Sequence, residues 1–274
     1  MKATITAMTA LAALSTSAMA AEEAPAAPPF RISGTATLAS DYLFKGMTQT
    51  WSKPAAQGSI DLNTDMGFSA SIWASNVSSK VYAGASTEID LSVGYKKALS
   101  DDWTVGTGLL WVYYPSGNYN KVRYTSLPSQ RYDFAEANLF VAYKWVSLKY
   151  SRTLTDLLGF NEKTGYTGGT RGSSYIDLSA DIPVSDNYVL NLHAGHQNVT
   201  AKLVTPTANG SRNPNFQDYR IGVTRNFPEG LSVSLGVAWN SNTAFFNDTP
   251  SNRDSSDTKD VGKRRFYLSA TKVF

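Results

Sequence analysis

Arg265-Phe266-Tyr267-Leu268-Ser269-Ala270-Thr271-Lys272-Val273-Phe274 closes the chain, and its alternation decides how the rest is read. Successive side chains of an extended strand point to opposite faces. Phe266, Leu268, Ala270 and Phe274 therefore share one face, and Arg265, Tyr267, Ser269 and Thr271 share the other. Only Lys272 interrupts the apolar row, near its end, where a long side chain can lift its charge to an interface. A strand of this kind suits a wall between lipid and water. Its free N–H and C=O groups would find no water in lipid, so it cannot remain an edge. The expectation is a closed barrel with an even number of strands, the last paired with the first.

Upstream, the chain divides into segments of roughly 9–12 residues with period-2 alternation, as transmembrane strands require. They read Phe30–Tyr42, Pro54–Asn63, Phe68–Asn76, a fourth around Glu88–Tyr95, Trp103–Tyr114, Phe134–Trp145, Ser147–Leu154, Tyr175–Pro183, Tyr188–Gln197, Asp218–Phe227, Leu231–Asn240 and Arg265–Phe274. That makes twelve. Trp103, Val105, Leu109, Trp111 and Tyr113 show the pattern well, an apolar strip with aromatics at both ends. Such strips match a lipid belt bounded by two aromatic girdles.

The connections alternate in length without exception. Short ones follow even strands, at Thr64–Met66, Lys97–Asp102, Trp145-Val146, Val184–Asn187 and Pro228–Gly230. Long ones follow odd strands, at Leu43–Lys53, Val77–Thr87, Pro115–Asp133, Thr155–Ser174, Asn198–Gln217 and Ser241–Arg264. Ser241–Arg264, rich in Asn, Asp and Ser, is expected to hold no strand of its own. Short periplasmic turns and long external loops follow, with Phe274 ending on the periplasmic side. The fold class is thus all-β, a transmembrane antiparallel up-and-down β-barrel of about 12 strands.

The N-terminus supplies an export route. Lys2, the mildly apolar Ala3–Leu14 and the small-x-small Ala18-Met19-Ala20 read as a cleaved signal peptide over residues 1–20. Residues 21–29 form an Ala/Pro-rich linker, and 30–274 the barrel. The 274 residues include no cysteine, which excludes disulfides and thiolate metal sites. A formal net charge of +3 is too small to point to nucleic acid.

Residues 40–77 carry a more specific signal. Ser40-Asp41-Tyr42-Leu43-Phe44-Lys45-Gly46-Met47-Thr48-Gln49, then Pro54-Ala55-Ala56-Gln57-Gly58, then Trp73-Ala74-Ser75-Asn76-Val77, resemble motifs of the TorF family of porin-like proteins of the proteobacterial outer membrane. One small departure is Ser71-Ile72 before Trp73, where the pattern has a glycine two positions back. The resemblance covers about the first third of the mature chain. It implies a pore-like protein in the cell outer membrane and brings no substrate and no site residues.

The inner-face side chains are the candidate pore lining: Arg31, Asp41, Asp61, Trp73, Glu88, Asp90, Glu136, Lys149, Asp177, Asp181, His193 and Arg220. Lys144, Asp218 and Arg265 join them in a count with more acids than bases. The acids are expected to pair with Arg31, Lys149 and Arg220 across a wet lumen, where opposed charges set a transverse field. Basic external stretches carrying Lys121, Arg123, Arg131, Lys202 and Arg212 pull the other way, toward anionic solutes or lipopolysaccharide phosphates. Charge selectivity is therefore not readable. His193 and His196, three apart on a strand, face opposite ways and cannot chelate together. No catalytic residue, metal or cofactor is expected.

Two functions follow. One is a channel for passive diffusion of small hydrophilic solutes through a constriction of inward-folded loops. The alternative is a barrel that is no channel. A lipid-modifying enzyme would need Ser or Asp beside His196, and a plugged structural or surface-interaction protein would have Trp73, Tyr175 and Tyr267 meeting across the bore. The expected partners are outer-membrane lipid and lipopolysaccharide, the outer-membrane assembly machinery through Phe274, and further copies of the chain, with Pro54–Asn63 as the candidate oligomer face.

Overall fold

A computed structural model describes residues 29–274. The expected leader 1–20 and all of the linker except Pro29 lie outside the described residues. Twelve antiparallel strands form one closed barrel, in the order expected of up-and-down connections. They are β1 (Phe30–Ala39), β2 (Ala55–Thr64), β3 (Phe68–Asn76), β4 (Thr87–Ala98), β5 (Trp103–Tyr113), β6 (Phe134–Tyr143), β7 (Val146–Thr153), β8 (Ser174–Ser185), β9 (Tyr188–Asn198), β10 (Phe216–Asn226), β11 (Leu231–Asn240) and β12 (Arg265–Val273).

Closure falls between the two ends of the described chain. Thr35 pairs with Val273 and Ala39 with Ser269 across β1 and β12. Phe274 extends this seam: its amide donates to the Gly34 carbonyl at 2.9 Å. Lys272 sits at the short-turn end, where its ammonium donates to the Glu229 carbonyl oxygen.

The alternation runs outward apolar and inward polar on most strands. Ile32, Ile72, Leu139, Ile176, Leu235 and Phe266 are among a ring of exposed large apolar side chains. In water such a belt would be an aggregation surface; it fits a bilayer. Asp61, Ser151, Asp177, Asn191, Asp218 and Thr224 are buried on the inner face. The interior of the barrel is therefore polar, and the apolar core among the described residues lies elsewhere. Val77, Tyr82, Val112, Tyr114, Tyr132, Phe134, Leu157 and Val199 cluster at the long-loop end, where four connections and the strand tips beneath them meet.

The sequence reading is corrected at several strand ends. The first strand stops at Ala39, so Tyr42 turns inward rather than continuing the apolar row. The sixth stops at Tyr143, because Lys144 takes a φ of 50° in the turn. Lys144 therefore leaves the inner face and lies 3.6 Å from Asp102. The connection after β11 holds a helical turn, Thr243–Phe246, and a hairpin pairing Thr249–Ser251 with Asp254–Lys259. Its polar residues have poor strand propensity. The hairpin is held from outside: Asn252 donates from Nδ2 to the Val81 carbonyl at 2.7 Å, and Lys80 pairs with Asp257 at 2.6 Å.

If the belt faces lipid, the cost of a buried charge should follow depth. Leu235→Lys, in mid-strand, should weaken folding into phospholipid vesicles by roughly 2–4 kcal/mol, and Leu231→Lys, at the short-turn end, by about 0–1 kcal/mol. Urea titration of both variants in vesicles measures the difference.

Candidate functional site: the lumen and its crossing hairpin

The connection between β1 and β2 folds into the barrel mouth rather than away from it. Leu43-Phe44 pairs with Met47-Thr48 as a miniature hairpin. Its two turn residues, Lys45 and Gly46, both have positive φ, at 49° and 72°. That is the pattern of a type I′ turn, which favours Asn, Asp or Gly at the first central position. A lysine there stands against a penalty of about 1–2 kcal/mol. Gly46 is required by space as well, because a Cβ would overlap the carbonyl oxygen of Trp239 on β11.

Polar bonds fix the base of this hairpin. Thr48 and Thr50 each donate from Oγ1 to Asp41 Oδ1 at 2.7 Å. Arg265 Nε lies 3.6 Å from the other Asp41 oxygen. The Thr48 amide donates to the Val261 carbonyl at 3.0 Å. Tyr82 donates its hydroxyl to Gln49 Oε1. At the tip, Lys45 reaches across the lumen: its ammonium donates to Gln197 Oε1 on β9 at 2.8 Å and lies 4.0 Å from the Tyr175 ring centroid on β8. Going round by β12, β8 is five strands from β1. The hairpin thus crosses the upper bore from one wall toward the opposite one.

The far wall is a connected polar network. Lys149 and Asp177 face each other in register, with Nζ 3.8 Å from Oδ2. Asp177 Oδ1 accepts from Ser179 at 2.7 Å and lies 3.3 Å from His193 Nδ1. His193 Nε2 is 2.9 Å from Asp218 Oδ2, and Tyr175 donates to the other Asp218 oxygen at 2.8 Å. The Tyr175 hydroxyl fits because position 195 is glycine; a Cβ would overlap it. Asn191 donates to Asp181 Oδ1 at 2.6 Å. The near wall is acidic. Glu88 accepts the Tyr42 hydroxyl at 2.9 Å, and Asp90 lies two residues on, opposite Trp73 in register. Asp61 accepts from Ser59 at 2.6 Å and from Ser71.

Of the sequence candidates, Asp61, Trp73, Glu88, Asp90, Glu136, Lys149, Asp177, Asp181, His193 and Arg220 stand on inward positions of their strands. Two lie elsewhere. Arg31 is at the short-turn rim, 56% exposed and 3.7 Å from Asp65, because the first strand begins there. Asp41 lies beyond β1 and is buried at the hairpin base, so it holds a loop rather than lining a bore. Lys45 was missed, although a Lys-Gly pair between Leu-Phe and Met-Thr is a two-residue turn signal. The aromatic mouth was missed too, its tyrosines being scattered over separate connections.

That mouth is tightly built. Tyr82 stacks on Tyr114 with centroids 4.1 Å apart, and Tyr119 packs on Tyr132 at 4.2 Å. Trp73, Tyr175 and Tyr267 do not meet across the bore: Trp73 packs edge-on against Tyr42, Tyr175 lies under Lys45, and Tyr267 rests against Gly222 and Gly236. His196 bonds to Gln217 Nε2 at 3.2 Å rather than to Ser or Asp. Ser179, His193 and Asp218 form a chain that resembles a hydrolytic triad in composition. Carboxylate oxygens face both ring nitrogens of His193, however, and both contacts are satisfied only if both nitrogens donate. Neither can then take a proton from Ser179. Among the described residues no group of three His, Cys, Asp or Glu could hold a metal.

A closed twelve-stranded barrel with an apolar belt, a polar lumen and a loop folded into the bore defines the protein as a barrel of porin type. Residues 23–274 match the model of a family described as "Bacterial protein of unknown function (Gcw_chp)", and the chain belongs to that family. No curated protein sequence matches the chain. Among solved structures it is similar to the NanC porin at 9% identity, covering 88% of this chain and 99% of that one with a TM-score of 0.52. The KdgM porin in complex with disordered oligogalacturonate is likewise similar, at 9% identity, 89% and 98% coverage and a TM-score of 0.51. At such identity the likeness is one of fold.

Two outcomes follow. Gly46→Ala should unseat the hairpin, seen as new protease cleavage within residues 40–54 of the folded barrel. Burial holds the Tyr42, Tyr82, Tyr114 and Tyr119 hydroxyls well above the ordinary tyrosine range and pushes Tyr132 up to about 12. In an alkaline absorbance titration these five should stay protonated while exposed tyrosines ionise near ~10.

Proposed function

We propose that the protein is an outer-membrane channel for passive diffusion of small hydrophilic solutes. The observation that carries this reading is the closed polar lumen, lined by charged side chains and narrowed by a hairpin seated from within. A barrel that served only as a wall could fill its bore with side chains, as small barrels do. The stretch that resembles the TorF family is the one that builds the hairpin, which favours a pore-like role for it. The mechanism is diffusion past the hairpin, with selectivity set by size and by the fixed charges of the two walls.

The same reading gives the long connections to the outside and the short turns to the periplasm. Lipopolysaccharide phosphates are then natural partners of Lys121, Arg123, Lys202 and Arg212 at the outer rim. Phe274, exposed at the end of the closing strand, is the signal we assign to the outer-membrane assembly machinery. An oligomer, if formed, would use the weakly apolar outer face of β2. The interlocked tyrosines over the mouth favour a second reading, a barrel whose outer end is stoppered and whose role is structural.

Conductance decides between them. Purified protein in a planar bilayer should give discrete conductance steps, and deletion of Leu43–Thr48 should enlarge them severalfold. A silent wild type together with a silent deletion would leave the stoppered barrel.

A further inference from the structure

Lys45 stands where the local backbone disfavours it. A type I′ turn takes Asn or Gly at its first central position at no cost, and either would let the hairpin seat between Trp239 and the hairpin base. What only the long side chain supplies is a positive charge carried across the bore. Its contacts at the far wall are a neutral amide, Gln197 Oε1 at 2.8 Å, and an aromatic face, Tyr175 at 4.0 Å. Among the described residues Lys45 forms no ion pair. It nevertheless lies within electrostatic reach of Glu136, Asp218 and Asp177, with Lys149 as the nearby like charge. Every one of these belongs to the wall a solute must pass.

The rest of the lumen at this level leans negative. Asp177 and Asp218 share Lys149 and His193 between them. Glu88 and Asp90, on the near wall, form no ion pair among the described residues, and Glu88 is held by the hydroxyls of Tyr42 and Tyr114. Lys149, His193 and Arg220 are cations of the far wall itself, so Lys45 is the positive charge that the hairpin adds from across the bore.

Resting on the channel reading above, we propose that Lys45 is the residue that sets the charge preference of the path: the hairpin carries its ammonium into the bore to offset Glu136, Asp177 and Asp218, so that anionic solutes pass beside cations. The hairpin supplies placement and the lysine supplies sign. This assigns to one loop residue a role that strand residues alone do not fill.

The titration of the group gives a second handle. Burial lowers the Lys45 ammonium from its ordinary value, against the pull of Glu136, Asp218 and Asp177. The groups facing it are Glu136 on β6, Lys149 on β7, Tyr175 and Asp177 on β8, Gln197 on β9 and Asp218 on β10. A cation with a lowered pKa loses its charge earlier as pH rises, so alkalinity should mimic its removal.

The test compares Lys45→Asn, Lys45→Arg, Lys202→Ala and wild type by reversal potential under a potassium chloride gradient. Asn suits the turn, so the variant folds, and a heat-dependent gel shift checks that it does. Lys45→Asn should raise the potassium-to-chloride permeability ratio about sixteenfold, a factor of about four on each ion for a unit charge roughly 5 Å away at the dielectric of water. Lys45→Arg should stay near wild type, and Lys202→Ala, at the rim, should change little. Raising the pH toward the ordinary lysine range, about 10.4, should move wild type toward the Lys45→Asn ratio and leave Lys45→Asn nearly fixed. Conducting wild type with an unshifted, folded Lys45→Asn overturns the assignment of Lys45 and leaves the channel standing. If neither conducts, the channel reading falls and the assignment with it.

Discussion

A backbone amide in hydrocarbon has no water to turn to, and an unsatisfied one costs several kcal/mol. That constraint organises this chain. It forces the strand Arg265–Val273 to find Phe30–Ala39 at the other end of the described residues, and it fixes an even number of strands if neighbours are all antiparallel. Once the ring is closed the outward rows must be apolar and the inward rows are released from that demand. Polar side chains can then occupy the interior because the bore hydrates or pairs them. The inside-out distribution of polarity is the consequence of closure, with each strand repeating it.

The released interior is used unevenly. One wall carries a satisfied network in which Asp177, His193 and Asp218 alternate around a histidine held from both sides. The other carries carboxylates with hydroxyl partners only. Between them runs a loop hairpin whose base is fastened by Asp41, Thr48 and Thr50 and whose tip leans on glycine-sized space at Trp239. Strands form the container; the first connection shapes what it contains. The apolar core that a soluble domain would hold at its centre has moved to the loops, where Tyr82, Tyr114 and Tyr132 pack over one half of the mouth.

Strands were legible because period 2 is written in each segment alone. Phe68–Asn76 and Leu231–Asn240 coincide with the observed β3 and β11. The strand Asp254–Lys259 was not legible, since Asp-Ser-Ser-Asp-Thr-Lys has neither apolar alternation nor β-branched content beyond one threonine; its partner strand and Lys80 make it. The inner-face candidates could be read from parity, but parity ends with the strand. Asp41 and Tyr42 were assigned by extending it two or three residues too far. Lys45 escaped for a different reason: its partner Gln197 is 152 residues away, and no local pattern announces a side chain that spans a bore.

The seat of the crossing hairpin has one further property. Three of its supports, Trp239 on β11, Val261 in the following connection and Arg265 on β12, come from the last part of the chain. The hairpin itself is local and can form on the microsecond scale typical of hairpins. It nevertheless cannot be fully seated until the final strands arrive. The bore of the growing barrel is therefore wide while strands are still being added, and it narrows in the same event that joins the two ends of the sheet.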